Sequence, residues 1–228
     1  MSFSENLQHV RERIRRAAER IGRTESAITI VAVTKTLGPA AVEEAIRGGV
    51  TDIGENRVQE FLEKADQVTV PCRWHLIGHL QSNKVNKAIG RFALIQSVDS
   101  IKLAERLSRA ADERGLSADI LVEVNTSCEK AKYGFIPEEA VEACGRIADL
   151  PAVTIRGLMT VGPWVEDVGR IASAFAALRS LKDDVERIGS GHIPLEHLSM
   201  GMTDDFEIAI AEGSTMVRLG RILFGERG

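Results

Sequence analysis

The chain has 228 residues, 44% hydrophobic and 27% charged, enough apolar material for a substantial core in one undivided domain over 1–228. A formal net charge of −4 excludes a field built to attract nucleic acid or an anionic membrane, and the one basic cluster (Arg11, Arg13, Arg15, Arg16) lies beside Glu5, Glu12 and Glu19, as on a solvated helix face. Cys72, Cys128 and Cys144 show no CxxC spacing, the N-terminus has no signal-like apolar core, and no apolar run approaches roughly 18 residues; together these predict a cytoplasmic protein without disulfides, structural zinc or a membrane span.

Leu7, Val10, Ile14, Ala17 and Ile21 recur at helical spacing and predict an amphipathic first helix. Short Val- and Ile-rich runs then alternate with helical stretches. The runs at 29–34, 52–54, 73–77, 93–97, 119–124, 154–158, 196–198 and 215–218 read as strands. Ser82, Ser100 and Pro137 open intervening helices, and Gly48-Gly49 closes one. Strict alternation predicts a parallel sheet covered by helices. Eight such units behind an N-terminal helix point to a closed (β/α)8 TIM barrel, whereas the open Rossmann-like alternative lacks a GxGxxG after its first strand.

A barrel of this kind places its site at the C-terminal strand ends, with phosphate favoured after strands 7 and 8. Strand 1 ends in VAVTKT, and alternation puts Lys35 on the face of Val31 and Val33. The apolar mouth of a barrel favours the neutral, nucleophilic amine that a Schiff base needs. Strand 2 ends in Gly54-Glu55-Asn56-Arg57, where Asn56 serves either as a hydrogen-bonding site residue or as a helix cap. His75 and His79 have HExxH spacing, but no glutamate follows His75, so zinc is not expected. Met159 and Thr160 line the pocket.

Strand 7 runs into Ser199-Met200-Gly201-Met202-Thr203 and strand 8 into Arg218-Leu219-Gly220-Arg221. Each loop joins a glycine, which lets amides approach an anion, to hydroxyl or guanidinium donors. Asp204 and Asp205, read as the first turn of the next helix, would repel a phosphate on its axis, so the anion is expected on the amides before it. No GxSxG elbow appears and no cysteine has a convincing base.

These segments carry a family resemblance. VAVTKT at 31–36, GENRVQE at 54–60, WHLIGHLQSNK at 74–84, VNTSCEKAKYGF at 124–135, GLMTV at 157–161 and LSMGMTDDFEIAIAEGSTMVRLGRILFG at 198–225 run in order through nearly the whole chain. The chain resembles the pyridoxal phosphate homeostasis proteins, single-domain relatives of the alanine racemase N-terminal barrel. The resemblance implies pyridoxal 5'-phosphate as cofactor, joined as a Schiff base to Lys35. It implies that Ser199, the stretch Gly201 to Thr203, Gly220 and Arg221 hold the phosphate, and that Arg218 faces the pyridine nitrogen, which weakens the ring as an electron sink. Relatives often have a small residue at Arg221, and some carry a lysine-containing tail where this chain reads Gly225-Glu226-Arg227-Gly228. Lys132 matches a family lysine near the mouth.

Three functions compete: a non-catalytic carrier that buffers the cofactor or delivers it to apo-enzymes, an amino-acid racemase, and a barrel without cofactor. Racemisation needs bases on both faces of a carbanion. The one tyrosine here is Tyr133, and no second domain is expected to complete the site. The carrier, as a monomer with no catalytic residue, is the reading favoured.

Overall fold

Ser2 and Glu5 exchange hydrogen bonds, the Ser2 amide donating to Glu5 Oε2 at 2.7 Å and the Glu5 amide to Ser2 Oγ at 3.3 Å, which satisfies two donors otherwise orphaned at a helix start. The computed structural model describes residues 2–187 and 193–225, so the tail 226–228 lies outside the described residues. Helix α1 (Phe3–Glu19) buries Phe3, Leu7, Val10, Ile14 and Ala17. It ends one turn early, leaving the predicted core residue Ile21 exposed. The arginine face behaves as predicted: Arg15 pairs with Glu12 and Glu19, Arg16 with Glu12 and Arg13 with Glu207.

The chain then alternates through β1 (Thr29–Val33), α2 (Pro39–Arg47), β2 (Asp52–Glu55), α3 (Val58–Ala65), β3 (Arg73–Leu76), α4 (Val85–Ala88), β4 (Leu94–Val98) and α5 (Ile101–Asp112). It continues through β5 (Ala118–Glu123), α6 (Pro137–Ala148), β6 (Val153–Met159), α7 (Val168–Glu186), β7 (His197–Ser199), α8 (Phe206–Ala211), β8 (Met216–Leu219) and α9 (Arg221–Phe224). Among the described residues these eight strands pair in parallel, in sequence order, and β8 closes on β1. Ser100 caps α5 by accepting from the Leu103 amide, and Pro137 is the first residue of α6, as their sequence signals predicted. Ser82 instead opens a short 3-10 turn ahead of α4.

Alternation along the strands sorts the core. Val31, Leu94, Leu121, Met159 and Met216 meet inside the barrel. Ala32, Ile53, Val217 and Leu219 point outward and pack with α1, α2, α8 and α9. No described helix is long and apolar enough to cross a membrane.

The β6–β7 seam depends on a missing side chain. A Cβ on Gly157 would lie 2.0 Å from the His197 carbonyl oxygen, a contact the paired backbones cannot relieve. Gly157→Ala should therefore destabilise the fold by roughly 3 kcal/mol or more, beyond the usual cost of overpacking. Urea unfolding measures this, and a loss under about 1 kcal/mol would mean that the seam is more compliant than its geometry implies.

Candidate functional site

Lys35 lies in the turn that leaves β1, half-buried at the C-terminal mouth of the barrel. The turn is closed by the Leu37 amide donating to the Thr34 carbonyl at 3.0 Å, and Thr36 takes the left-handed conformation at φ 64°. A non-glycine residue is held there only when its surroundings insist. The Thr36 amide donates to Glu60 Oε2 at 3.2 Å, and Lys64 Nζ donates to the Thr34 carbonyl at 2.9 Å. Lys64 also bonds Glu55 Oε1 at 2.8 Å, and Thr34 Oγ1 donates to the same oxygen. Glu55 is fully buried with Oε2 unpartnered, and burial raises its carboxyl above the ordinary value against the pull of Lys64 and Thr34. Thus α3 and the end of β2 clamp the turn that presents Lys35.

Inside the barrel, Arg218 is the dominant charge. Its Nη1 donates to the Ser199 carbonyl at 2.8 Å and to Ser199 Oγ at 2.7 Å, and its Nη2 to the Thr160 carbonyl at 2.8 Å. Burial brings its guanidinium down to about 10, with Glu123 and Asp205 pulling upward, so it remains a cation at neutral pH. Ser199, which the sequence assigns to phosphate, accepts from Arg218 at its hydroxyl oxygen and donates to Gln96 Oε1 at 2.6 Å. Ser199 thus orients Arg218. Thr160, expected only to line the pocket, contributes its carbonyl to that cation.

The loops after β7 and β8 come together as predicted, with changes of detail. Both aspartates precede helix α8. Asp205 accepts from the Met202 amide at 2.6 Å, and burial raises its carboxyl. Asp204 reaches across to Arg221 at 2.8 Å. The Arg221 side chain is held by that pairing, and its backbone amide opens α9. Gly201 has φ 94°, and a Cβ there would lie 2.6 Å from the Ala209 Cβ, so no larger residue fits. Among the described residues the amides of Thr203 and Asp204 have no hydrogen-bond partner. With the half-buried Thr203 and with Gly220 at the other loop, they form a donor set fit for an anion.

Asn56 does not cap α3; the cap position is Arg57. It lines a cavity of about 560 Å³ beside the mouth, with His79, Lys84 and Tyr133. His75 and His79 are parted, His75 buried against Asp52 at 2.9 Å and His79 on Asp99 at 2.7 Å. Tyr133 is 58% exposed and stacks on His79, ring centroids 4.1 Å apart. Lys132 is anchored to Glu129 at 2.7 Å and to the Gly162 carbonyl at 2.8 Å. Gln96 and Glu123 were missed in the sequence; both are buried polar residues on the inward parity of their strands, shared with Leu94 and Leu121.

The family model for the alanine racemase N-terminal domain matches residues 6–228. A pyridoxal phosphate homeostasis protein of Aquifex aeolicus is 41% identical over 228 residues, covering 100% of this chain and 99% of that protein. The solved structure of PipY from Synechococcus elongatus with its cofactor bound is 34% identical, with TM-score 0.84, and covers 98% of this chain and 100% of that one. An alanine racemase of Clostridium difficile, 19% identical with TM-score 0.77, covers 98% of this chain and 57% of its own, and shares the fold.

Two outcomes follow from the buried carboxyls. Lys64→Met leaves Glu55 buried and unpaired, so it should cost about 3–5 kcal/mol, and adding Glu55→Gln should recover much of the loss in denaturant titrations. Burial, aided by Asp99 and opposed by Arg218, pushes Glu123 from 4.5 to about 7. Folded protein therefore holds a proton that unfolded chain has released between those values. The stability it contributes is full below pH 4.5 and lost as pH rises through 7, a change on the order of 3 kcal/mol. Glu123→Gln should flatten that part of the stability profile; parallel profiles for the two proteins would remove Glu123 as its source.

Proposed function

This chain belongs to the pyridoxal phosphate homeostasis proteins of the alanine racemase N-terminal domain family, and from that premise we propose that its barrel mouth holds pyridoxal 5'-phosphate for storage and delivery. The observation that carries the reading is Arg218, a buried cation fixed by three hydrogen bonds within the mouth that Lys35 borders. Pyridoxal phosphate supplies an aldehyde that condenses with a primary amine. Lys35 is the amine in place, and the clamp of Glu60, Lys64 and Glu55 orients it. The amides of Thr203 and Asp204, the Thr203 hydroxyl and the backbone at Gly220 and Arg221 suit the phosphate. Ser199 serves through Arg218, and Asn56 stands at the rim.

Storage rather than turnover follows from the same groups. A guanidinium at the ring nitrogen leaves that nitrogen unprotonated and the ring a poor electron sink. Tyr133, the one tyrosine in the sequence, lies flat against His79 instead of aiming at a substrate carbon. The protein is then a single-domain, monomeric, cytosolic holder of its cofactor, whose recipients are enzymes lacking it.

Borohydride reduction of the loaded protein followed by peptide mapping should place the adduct on Lys35, and an adduct confined to another lysine would refute the assignment. Pyridoxal without its phosphate should bind at least about 10-fold more weakly, since hydrogen bonds to a charged group are worth roughly 1.5–3 kcal/mol. Incubation with L-alanine in D₂O should give no appreciable Cα exchange; turnover near 1 s⁻¹, within the ordinary enzyme range of about 1–10³ s⁻¹, would make it a racemase instead. Sedimentation should show a monomer.

A further inference from the structure

The hydrogen bonds at Arg218 do not end at Ser199. Gln96, which accepts from Ser199 Oγ, points its Nε2 at His75 Nδ1 at 2.9 Å and at Met216 Sδ at 3.1 Å. The other ring nitrogen of His75 meets Asp52 Oδ1 at 2.9 Å, near the opposite end of the barrel. Both ends of this chain are chemically unambiguous, because a guanidinium only donates and a carboxylate only accepts. For an imidazole carrying one proton, the protons between them are thereby placed: Arg218 donates to Ser199, Ser199 to Gln96, Gln96 to His75 Nδ1, and His75 Nε2–H to Asp52. His75, Gln96 and Ser199 are each at most 3% exposed, so water does not compete for these bonds. Arg73 pairs with Asp52 at 2.7 Å and completes the lower end.

We propose that Gln96, His75 and Asp52 are positioning residues for Arg218, forming a directional hydrogen-bond chain through the barrel that holds the guanidinium in the pose that meets the cofactor ring. The proposal rests on the reading that this mouth binds pyridoxal phosphate. Without Gln96 the Ser199 hydroxyl has no acceptor in the chain and is left to rotate, and the Nη1 bond that fixes the guanidinium loosens with it. Aligned donors of this kind reinforce one another in a dry interior.

Two measurements test it. In the cofactor-free protein labelled with ¹⁵N-histidine, His75 should carry its proton on Nε2, with Nδ1 bare. A proton on Nδ1 alone would break the chain whatever the protein binds. Affinities are then compared for pyridoxal phosphate and for its analogue with C–H in place of the ring nitrogen. Gln96→Leu should lower affinity for pyridoxal phosphate about 10-fold, the scale of a hydrogen bond to a charged group, and leave the analogue nearly unaffected. Should Gln96→Leu fold poorly, Ser199→Ala makes the same comparison. Equal losses for both ligands would reduce Gln96 to a packing role and overturn the proposal while the functional reading stands. A wild-type protein that binds no pyridoxal phosphate overturns the functional reading instead, and with it any role of the chain toward a ring.

Discussion

A cation inside a parallel barrel is the constraint on which the rest of this interior depends. Removing a guanidinium from water costs several kcal/mol even after relaxation, and an apolar lining repays none of it. Much of the barrel lining here is apolar, with Val31, Leu94, Leu121, Met159 and Met216 in contact. Arg218 is tolerated because the neighbouring strands supply two carbonyls and a hydroxyl, and because Glu123 and Asp205 lower its electrostatic cost. Ser199 must keep its hydroxyl, Gln96 must offer an oxygen to it, and β6 must end with the Thr160 carbonyl facing in.

The two charged residues of the mouth are held from opposite sides of the barrel wall. Arg218 is bonded on the inner side, while the turn of Lys35 is fixed from outside by Glu55 of β2 and Lys64 of α3, both buried. A strained turn such as Thr34 to Leu37 keeps its shape only if the bonds that impose it are stronger than the cost of about 1–3 kcal/mol for an unusual backbone conformation. A buried ion pair with one oxygen unpartnered is a poor device for stability and a reasonable one for fixing a loop.

Much of this was legible in the sequence, for a local reason. Period-two runs and their caps are properties of neighbouring residues, so the strands were predicted to within a residue or two and Lys35 and Arg218 fell at strand ends, while their roles came from the family resemblance. What stayed hidden are pairings between strands far apart along the chain. Ser199 was recognised as a site residue, but its partner Gln96 lies 103 positions away on β4 and left no trace beside it. The partner of Arg221 stayed hidden likewise, because nothing in its own loop announces Asp204 on the preceding one. The helix after β7 begins later than read, since Asp205 turns back to the Met202 amide and stands outside it. Gln96 and Glu123 did leave a signal: each is a polar residue on the inward parity of its strand, shared with Leu94 and Leu121.

Holding a reactive cofactor and using it make opposite demands on these groups. Catalysis at a substrate carbon needs a ring that draws electrons, hence a proton on its nitrogen, and a base aimed at the carbon. On the function proposed above, a cationic donor at that nitrogen would deny the first, and the stacking of Tyr133 on His79 would deny the second. Neither would weaken binding: a guanidinium still donates a charge-assisted bond to a neutral ring, and phosphate-binding amides are indifferent to ring electronics. Retention can therefore be tuned through Arg218 and the loops after β7 and β8 without opening a route to side reactions. A barrel so arranged would keep an aldehyde accessible to an incoming amine while withholding the electronic help that would turn that amine into a substrate.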